Sequence, residues 1–128
     1  MDDQMEQISQ HLEYLGYTIS PAEERSFHAR HPSKANILVR SFAGGCLITA
    51  WYGTTADSLV NREGFLEALN SLNAQAIVSR YYVDKEYDFA VETFFHPPYD
   101  RSSFAQFMDL WDRDFARMLE SDVDQYLT

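Results

Sequence analysis

Apolar residues recur at Met5, Ile8, Leu12 and Leu15, while Asp3, Glu6, Gln7 and Gln10 fill other positions. This three-to-four-residue spacing puts one apolar stripe on a helix over 2–15, and Gly16 is placed to stop it. Residues 18–24, which include Ser20 and Pro21, read as a connector. The period then shortens to two. Alternating or branched apolar positions predict strands over Arg25–His31, Asn36–Phe42 and Cys46–Tyr52. Pro32 ends the first, and the Gly44-Gly45 pair, free to take positive φ, predicts a tight hairpin between the other two.

The small, polar stretch 53–59 reads as a loop. It leads into a helix over Asn61–Asn73, with Phe65, Leu69 and Leu72 on one face and Leu66 beside them. Two further strands follow, Ala76–Val83 and Tyr87–Phe95, around Asp84-Lys85-Glu86. A three-residue loop there puts Ile77, Tyr81 and Val83 on one face with Tyr87, Phe89 and Val91, as a half-buried antiparallel hairpin requires. His96-Pro97-Pro98 stops the sheet, and Asp100 or Ser102 caps a last helix. Its stripe is Phe104, Phe107, Met108, Trp111, Phe115 and Met118, and the tail with Val123, Tyr126 and Leu127 is placed to extend it. The order α-β-β-β-α-β-β-α lacks the regular strand–helix alternation of a parallel sheet. The chain therefore reads as one α+β domain over 1–128, an antiparallel sheet packed by helices.

Hairpin register decides which side chains share a face. With Gly44-Gly45 as the turn, Ala43 opposes Cys46, and Phe42, Arg40 and Leu38 oppose Leu47, Thr49 and Trp51. Tyr82 and Phe94 fall on the side away from the Tyr81–Phe89 set and join them. This second face mixes Arg40 and Thr49 with large apolar groups, a composition suited to contact. Leu38, Phe42, Trp51, Tyr82 and Phe94 are therefore the candidate partner-binding residues, the alternative being that the 61–73 helix covers the face. Phe65, Leu66 and Leu69, on the widened apolar face of that helix, are the candidate dimer contacts.

Composition narrows the function classes. Of the residues, 45% are hydrophobic and 15% aromatic, enough for a packed core and for aromatic contact anchors. Twenty acidic and ten basic residues set the formal net charge at −10. A nucleic acid or an anionic membrane surface would be repelled, and no basic run offsets this. Such acidity keeps a protein soluble, and in a sharper reading it attracts a basic protein segment. A lone Cys46 rules out an internal disulfide and agrees with a reducing cytosol. Neither a signal-peptide pattern nor an apolar run of membrane-spanning length occurs, so a cytoplasmic location is expected.

A resemblance emerges from several features together. They are the element order, the acidic balance, the helix ending at Leu15-Gly16-Tyr17, the hairpin at Gly44-Gly45, the 61–73 helix and the aromatic helix from Phe104. Jointly they resemble the type III secretion chaperone-like fold, and within it the bacterial YbjN-like proteins, which are labelled sensory transduction regulators. The resemblance covers nearly the whole chain. It implies a small cytoplasmic protein, often a homodimer, that works by binding a polypeptide. In the secretion chaperones the client wraps as an extended segment across apolar patches beside the sheet and first helix.

Candidate chemistry is sparse. His28 and His31 stand three apart, and on a strand such positions point to opposite faces, so solvated histidines are expected rather than a metal site. Cys46 has no base at a telling spacing and reads as a small hydrophobe. Glu23-Glu24, Asp122 and Asp124 lie in a connector and a tail, and Asp109, Asp112 and Asp114 flank Trp111 on faces that need not be buried. No phosphate loop, zinc-ligand pattern or serine-nucleophile elbow is present. The expected function is a non-enzymatic protein-binding module, chaperone-like or a regulatory adaptor. It has a polypeptide partner, no cofactor or metal, and no nucleic-acid or membrane partner. The alternatives are a small-ligand sensor or enzyme with a pocket between helix and sheet, and a structural subunit of a larger assembly.

Overall fold

In the computed structural model, which describes residues 2–128, the two periodicities of the chain sort into a sheet and a helical layer. Asp2 caps helix α1 (Asp3–Tyr14), its carboxylate accepting from the Met5 N–H at 2.8 Å. Four strands follow: β1 (Thr18–Pro21), β2 (Ser26–Arg30), β3 (Ile37–Phe42) and β4 (Gly45–Tyr52). Next come α2 (Ala56–Val60), α3 (Arg62–Gln75), β5 (Arg80–Val83), β6 (Phe89–Phe95), α4 (Arg101–Leu119) and a closing 3-10 helix over Asp122–Tyr126. The six strands form one antiparallel sheet in the order β1-β2-β3-β4-β6-β5, so the fold is α+β.

The core lies on one side of that sheet. Phe27, Val39, Ile48, Phe89 and Val91 point inward from the strands. Ile8 and Leu12 of α1, Phe65 and Leu72 of α3, and Phe104, Trp111 and Met118 of α4 close over them. Each large apolar side chain buried in this way contributes roughly 1.5–3 kcal/mol, which makes this layer the main stabilising element. Cys46 sits within it, fully buried. Burial pushes its thiol up to about 12, against a lowering by the Phe95 backbone, so the sulfur is protonated packing material.

Several elements differ from the sequence reading. Residues 18–21 form an edge strand and not a connector; β1 pairs with β2 alone, and an edge is where Pro21 is tolerated. The 53–59 stretch contains the start of α2. The tail does not extend α4. It turns into the 3-10 helix, buries Val123 and Tyr126, and returns a Thr128 N–H to the Gly53 carbonyl at 3.0 Å.

Both hairpins close two residues away from the expected register. In the first, Arg40 faces Leu47 and Leu38 faces Thr49, and the turn is Ala43-Gly44, at φ 51° and 82°. Gly45 is needed elsewhere: a Cβ on it would stand 2.1 Å from the Phe95 carbonyl oxygen, so β6 reserves it as a strand residue and the turn slides back. In the second, Val83 faces Phe89, leaving a five-residue loop. The Asp84 carboxylate closes this loop by accepting from the Glu86 and Asp88 N–H groups, each at 3.0 Å. Because each shift is by an even number, the paired strand side chains kept their expected faces; Ile77, expected on the core face, instead precedes β5 and is 47% exposed.

The strand expected from Ala76 begins only at Arg80, and the reason is Asp114. This α4 residue is 1% exposed, and its carboxylate accepts from the N–H groups of Ile77, Val78 and Ser79, each at 3.0 Å. Those amides turn toward the helix instead of a neighbouring strand. Just beyond, the Asn73 side chain exchanges two 2.8 Å hydrogen bonds with the backbone of Tyr81, sealing the free edge of β5 as another strand would. Asp114→Ala is expected to cost about 3 kcal/mol, since three donors lose a charged acceptor, with Asp114→Asn intermediate. Urea unfolding measures this, and an unchanged midpoint in Asp114→Ala would show that the clamp is not needed.

Candidate functional site

Among the described residues, no helix covers the outward face of the sheet. Alternation along β3, β4, β5 and β6 brings Leu38, Phe42, Trp51, Tyr82 and Phe94 together on it. Phe42, Trp51 and Phe94 are 50%, 46% and 36% exposed, while Leu38 and Tyr82 are half-buried. Phe42 and Phe94 meet edge to face, with centroids 6.3 Å apart. The alternative cover, α3, packs on the opposite side, where Phe65 and Leu72 enter the core.

Between the exposed rings the face is polar, and its centre is Glu92. This residue is 2% exposed. Its carboxylate accepts from Thr49 Oγ1 at 2.8 Å, Tyr82 Oη at 3.2 Å and Arg80 Nε at 2.9 Å, with Arg80 Nη2 completing a bidentate pair. Burial pushes the carboxyl up. The hydrogen bonds from Arg80 and Thr49, the Arg80 charge and the Tyr82 hydroxyl outweigh it, and the group is held below its ordinary value. The Arg80 guanidinium also lies 6.0 Å from the Tyr82 ring centroid. With both oxygens engaged, Glu92 is built to hold three strand residues in place. Sequence reasoning passed over it because its partners are set by register: Thr49 and Arg80 are its direct neighbours across β4 and β5.

A cavity of about 770 Å³ lies over this centre, walled by the β1–β2 loop at Glu23, Glu24 and Arg25 and floored by Leu38, Arg40, Tyr82 and Glu92. Trp51 and His28 also line it. Arg40 is exposed and forms no ion pair among the described residues. The site thus offers a cation, a ring to stack on and a preorganised polar floor, which suits recognition of a partner.

The other candidates separate. Phe65 is fully buried against Tyr126, with ring centroids 5.3 Å apart, so it is withdrawn from any dimer contact. On α3 that leaves Leu66, 45% exposed, and half-buried Leu69. His28 projects from the open face, whereas His31 Nδ1 accepts from the N–H groups of Ser33 and Lys34 at 3.1 and 3.2 Å and so caps the β2–β3 loop. Asp84, Glu86 and Asp88 bring carboxylate oxygens within 4.8 Å of one another, an arrangement that the loop closure by Asp84 already explains.

The architecture is that of the YbjN-like proteins: an open six-stranded antiparallel sheet with helices on one face. In particular, the chain is similar to YbjN from E. coli, described as a candidate transcription regulator, with a TM-score of 0.75 and 14% identity over 97% of this chain and 95% of that one. It is also similar to an uncharacterised protein from Methanothermobacter thermautotrophicus, with a TM-score of 0.64 and 13% identity over 91% and 94% of the two chains. At these identities the likeness is one of fold. No family model matches the chain, and no curated protein matches it. Among the described residues no helix is long and apolar enough to cross a membrane.

The depressed Glu92 carboxyl has a defined signature in pH. A carboxyl whose folded pKa lies below its unfolded value near 4.3 stabilises the fold above that value, and the contribution disappears as pH falls through the folded pKa. Glu92→Gln is expected to be less stable than the parent at neutral pH, with the gap shrinking as pH drops below the usual carboxylate range. Urea midpoints across that range test it; a gap independent of pH would contradict this reading.

Proposed function

We propose that this chain is a non-enzymatic protein-binding domain, chaperone-like or a regulatory adaptor, that receives a polypeptide on its open sheet face. The carrying observation is that Phe42, Trp51 and Phe94 stay exposed on a face that no helix covers. Rings held on a rigid sheet lose little freedom on contact, and large exposed apolar groups around a polar centre are the composition of a recognition surface. The hydrogen-bonded floor around Glu92 supports the same reading, because it presents those rings in one geometry. The likeness to a candidate transcription regulator favours a regulatory role. The acidity, at −10, argues against direct nucleic-acid contact, so regulation would run through a protein partner in the cytoplasm.

Trp51→Ser and Phe94→Ser are expected to weaken association by about 2 kcal/mol each while leaving the melting temperature nearly unchanged. Calorimetric titration with the partner captured from the native host, set beside thermal melts, measures both. Unchanged affinity, or unfolding of both variants, would count against the surface. Tyr82→Ser is a different case: its hydroxyl donates to Glu92, so this change is expected to lower stability as well.

The domain is further proposed to be a homodimer at micromolar concentration, with exposed Leu66 and half-buried Leu69 of α3 in the contact. Light scattering coupled to gel filtration should give twice the protomer mass, and Leu66→Glu should return it to the protomer. A mass of 14.9 kDa for the parent at every loading would defeat the dimer.

A further inference from the structure

A second cavity, of about 520 Å³, opens on the helical side of the sheet, between α4 and the β2–β3 loop. Its walls are aromatic: Tyr17, Tyr52, Trp111 and Phe115, with Ala116 among them. Trp111 meets Phe115 edge to face at 4.9 Å, and Tyr52 lies 6.5 Å from Phe115. Lys34 and Asp112, paired at 2.8 Å with side chains 42% and 38% exposed, stand at the mouth.

Two features of the lining face the cavity rather than the core. The Tyr17 ring is buried at 4% exposure, while its hydroxyl, which makes no hydrogen bond among the described residues, opens to the solvent-filled cavity and is free to donate there. Tyr52 and Phe115, from facing elements, touch each other and remain half-buried because their cavity-facing sides are uncovered.

We propose that this cavity binds an uncharged, planar aromatic molecule, bicyclic or tricyclic, whose rings lie among Tyr52, Trp111 and Phe115 and whose acceptor oxygen takes the Tyr17 O–H. The volume falls in the range of small-molecule sites, and a flat ring satisfies aromatic walls by edge and offset contacts. Burial, with Asp112 adding to it, pushes the Tyr17 hydroxyl up to about 12, so at neutral pH it is a donor. Charge sets the remaining specificity. Lys34 is already neutralised by Asp112 and, among the described residues, no other cation lines the cavity, so an anion would be buried without a partner in a chain of net charge −10. This site lies across the sheet from the open face, so it stands or falls separately from the protein-binding reading.

The probe is 7-methoxycoumarin, bicyclic and uncharged with a carbonyl acceptor. It is titrated into Trp51→Phe, where Trp111 is the one remaining tryptophan. Saturable quenching of Trp111 emission is expected. Ala116→Leu, which fills the cavity, should abolish it. Tyr17→Phe, which keeps the ring and removes the donor, should weaken binding about tenfold. Coumarin-3-carboxylate should bind far more weakly than the neutral probe. Thermal melts check that each variant is folded. If Ala116→Leu does not fold, Leu119→Phe at the exposed rim narrows the mouth without adding a tryptophan and should give the same loss. The proposal is overturned by the absence of saturable quenching, by quenching that survives the blocking variant, by equal affinity in Tyr17→Phe, or by a carboxylate that binds as tightly as the neutral coumarin.

Discussion

An antiparallel sheet of six strands has two faces to satisfy, and the apolar stripes of α1, α3 and α4 all go to one of them. The opposite face must hold together without a helix. It does so through Glu92, a buried carboxylate whose acceptor capacity is taken up by Thr49, Arg80 and Tyr82 from the flanking strands. A buried charge is costly when unpaired and specifying when every bond is made. Here it ties β4, β5 and β6 in one register and lets the face remain open to water, with its aromatic rings at the margins and not sealed in a second core.

The helical layer meets the sheet by polar contacts as well as by packing. Asp114 draws the Ile77–Ser79 backbone onto α4, Asn73 closes the edge of β5, and Arg117 donates to the Gln75 carbonyl at 2.8 Å. These bonds fix where β5 starts, and with it the positions of Tyr81 and Tyr82 on their two sides of the sheet. Asp114 and the open face are thereby linked: the clamp that delays β5 also sets which residue stands opposite Glu92. Edge sealing by a side chain also removes an exposed row of backbone groups that would otherwise invite pairing with another chain.

Two surfaces of different chemistry result from one asymmetry. Where helices cover the sheet, aromatic residues converge and leave a cavity at the Tyr17–Trp111 end. Where they do not, rings surround a charged and hydrogen-bonded floor. A chain of this YbjN-like fold has an open sheet face on one side and an aromatic-walled cavity on the other, connected by strands whose side chains alternate between the two.

The sequence by itself determined the alternation. Period two in the strands assigned Leu38, Phe42, Trp51, Tyr82 and Phe94 to one face and Tyr81, Phe89 and Val91 to the other. That assignment survived both register errors because the pairings moved by two residues. It also determined the helical stripes, since spacing along a helix depends only on local geometry. What it could not determine were contacts between residues far apart in the chain. The two glycines of the first hairpin read locally as one turn, but only the approach of β6, some fifty residues later, shows that Gly45 is a strand residue. Asp114 looked like one more helical carboxylate until Ile77, Val78 and Ser79 arrived as donors, and Phe65 looked like an interface residue until Tyr126 folded over it. Local periodicity is written in neighbouring side chains; which buried polar groups find partners, and which apolar groups stay uncovered, is decided only when distant segments meet.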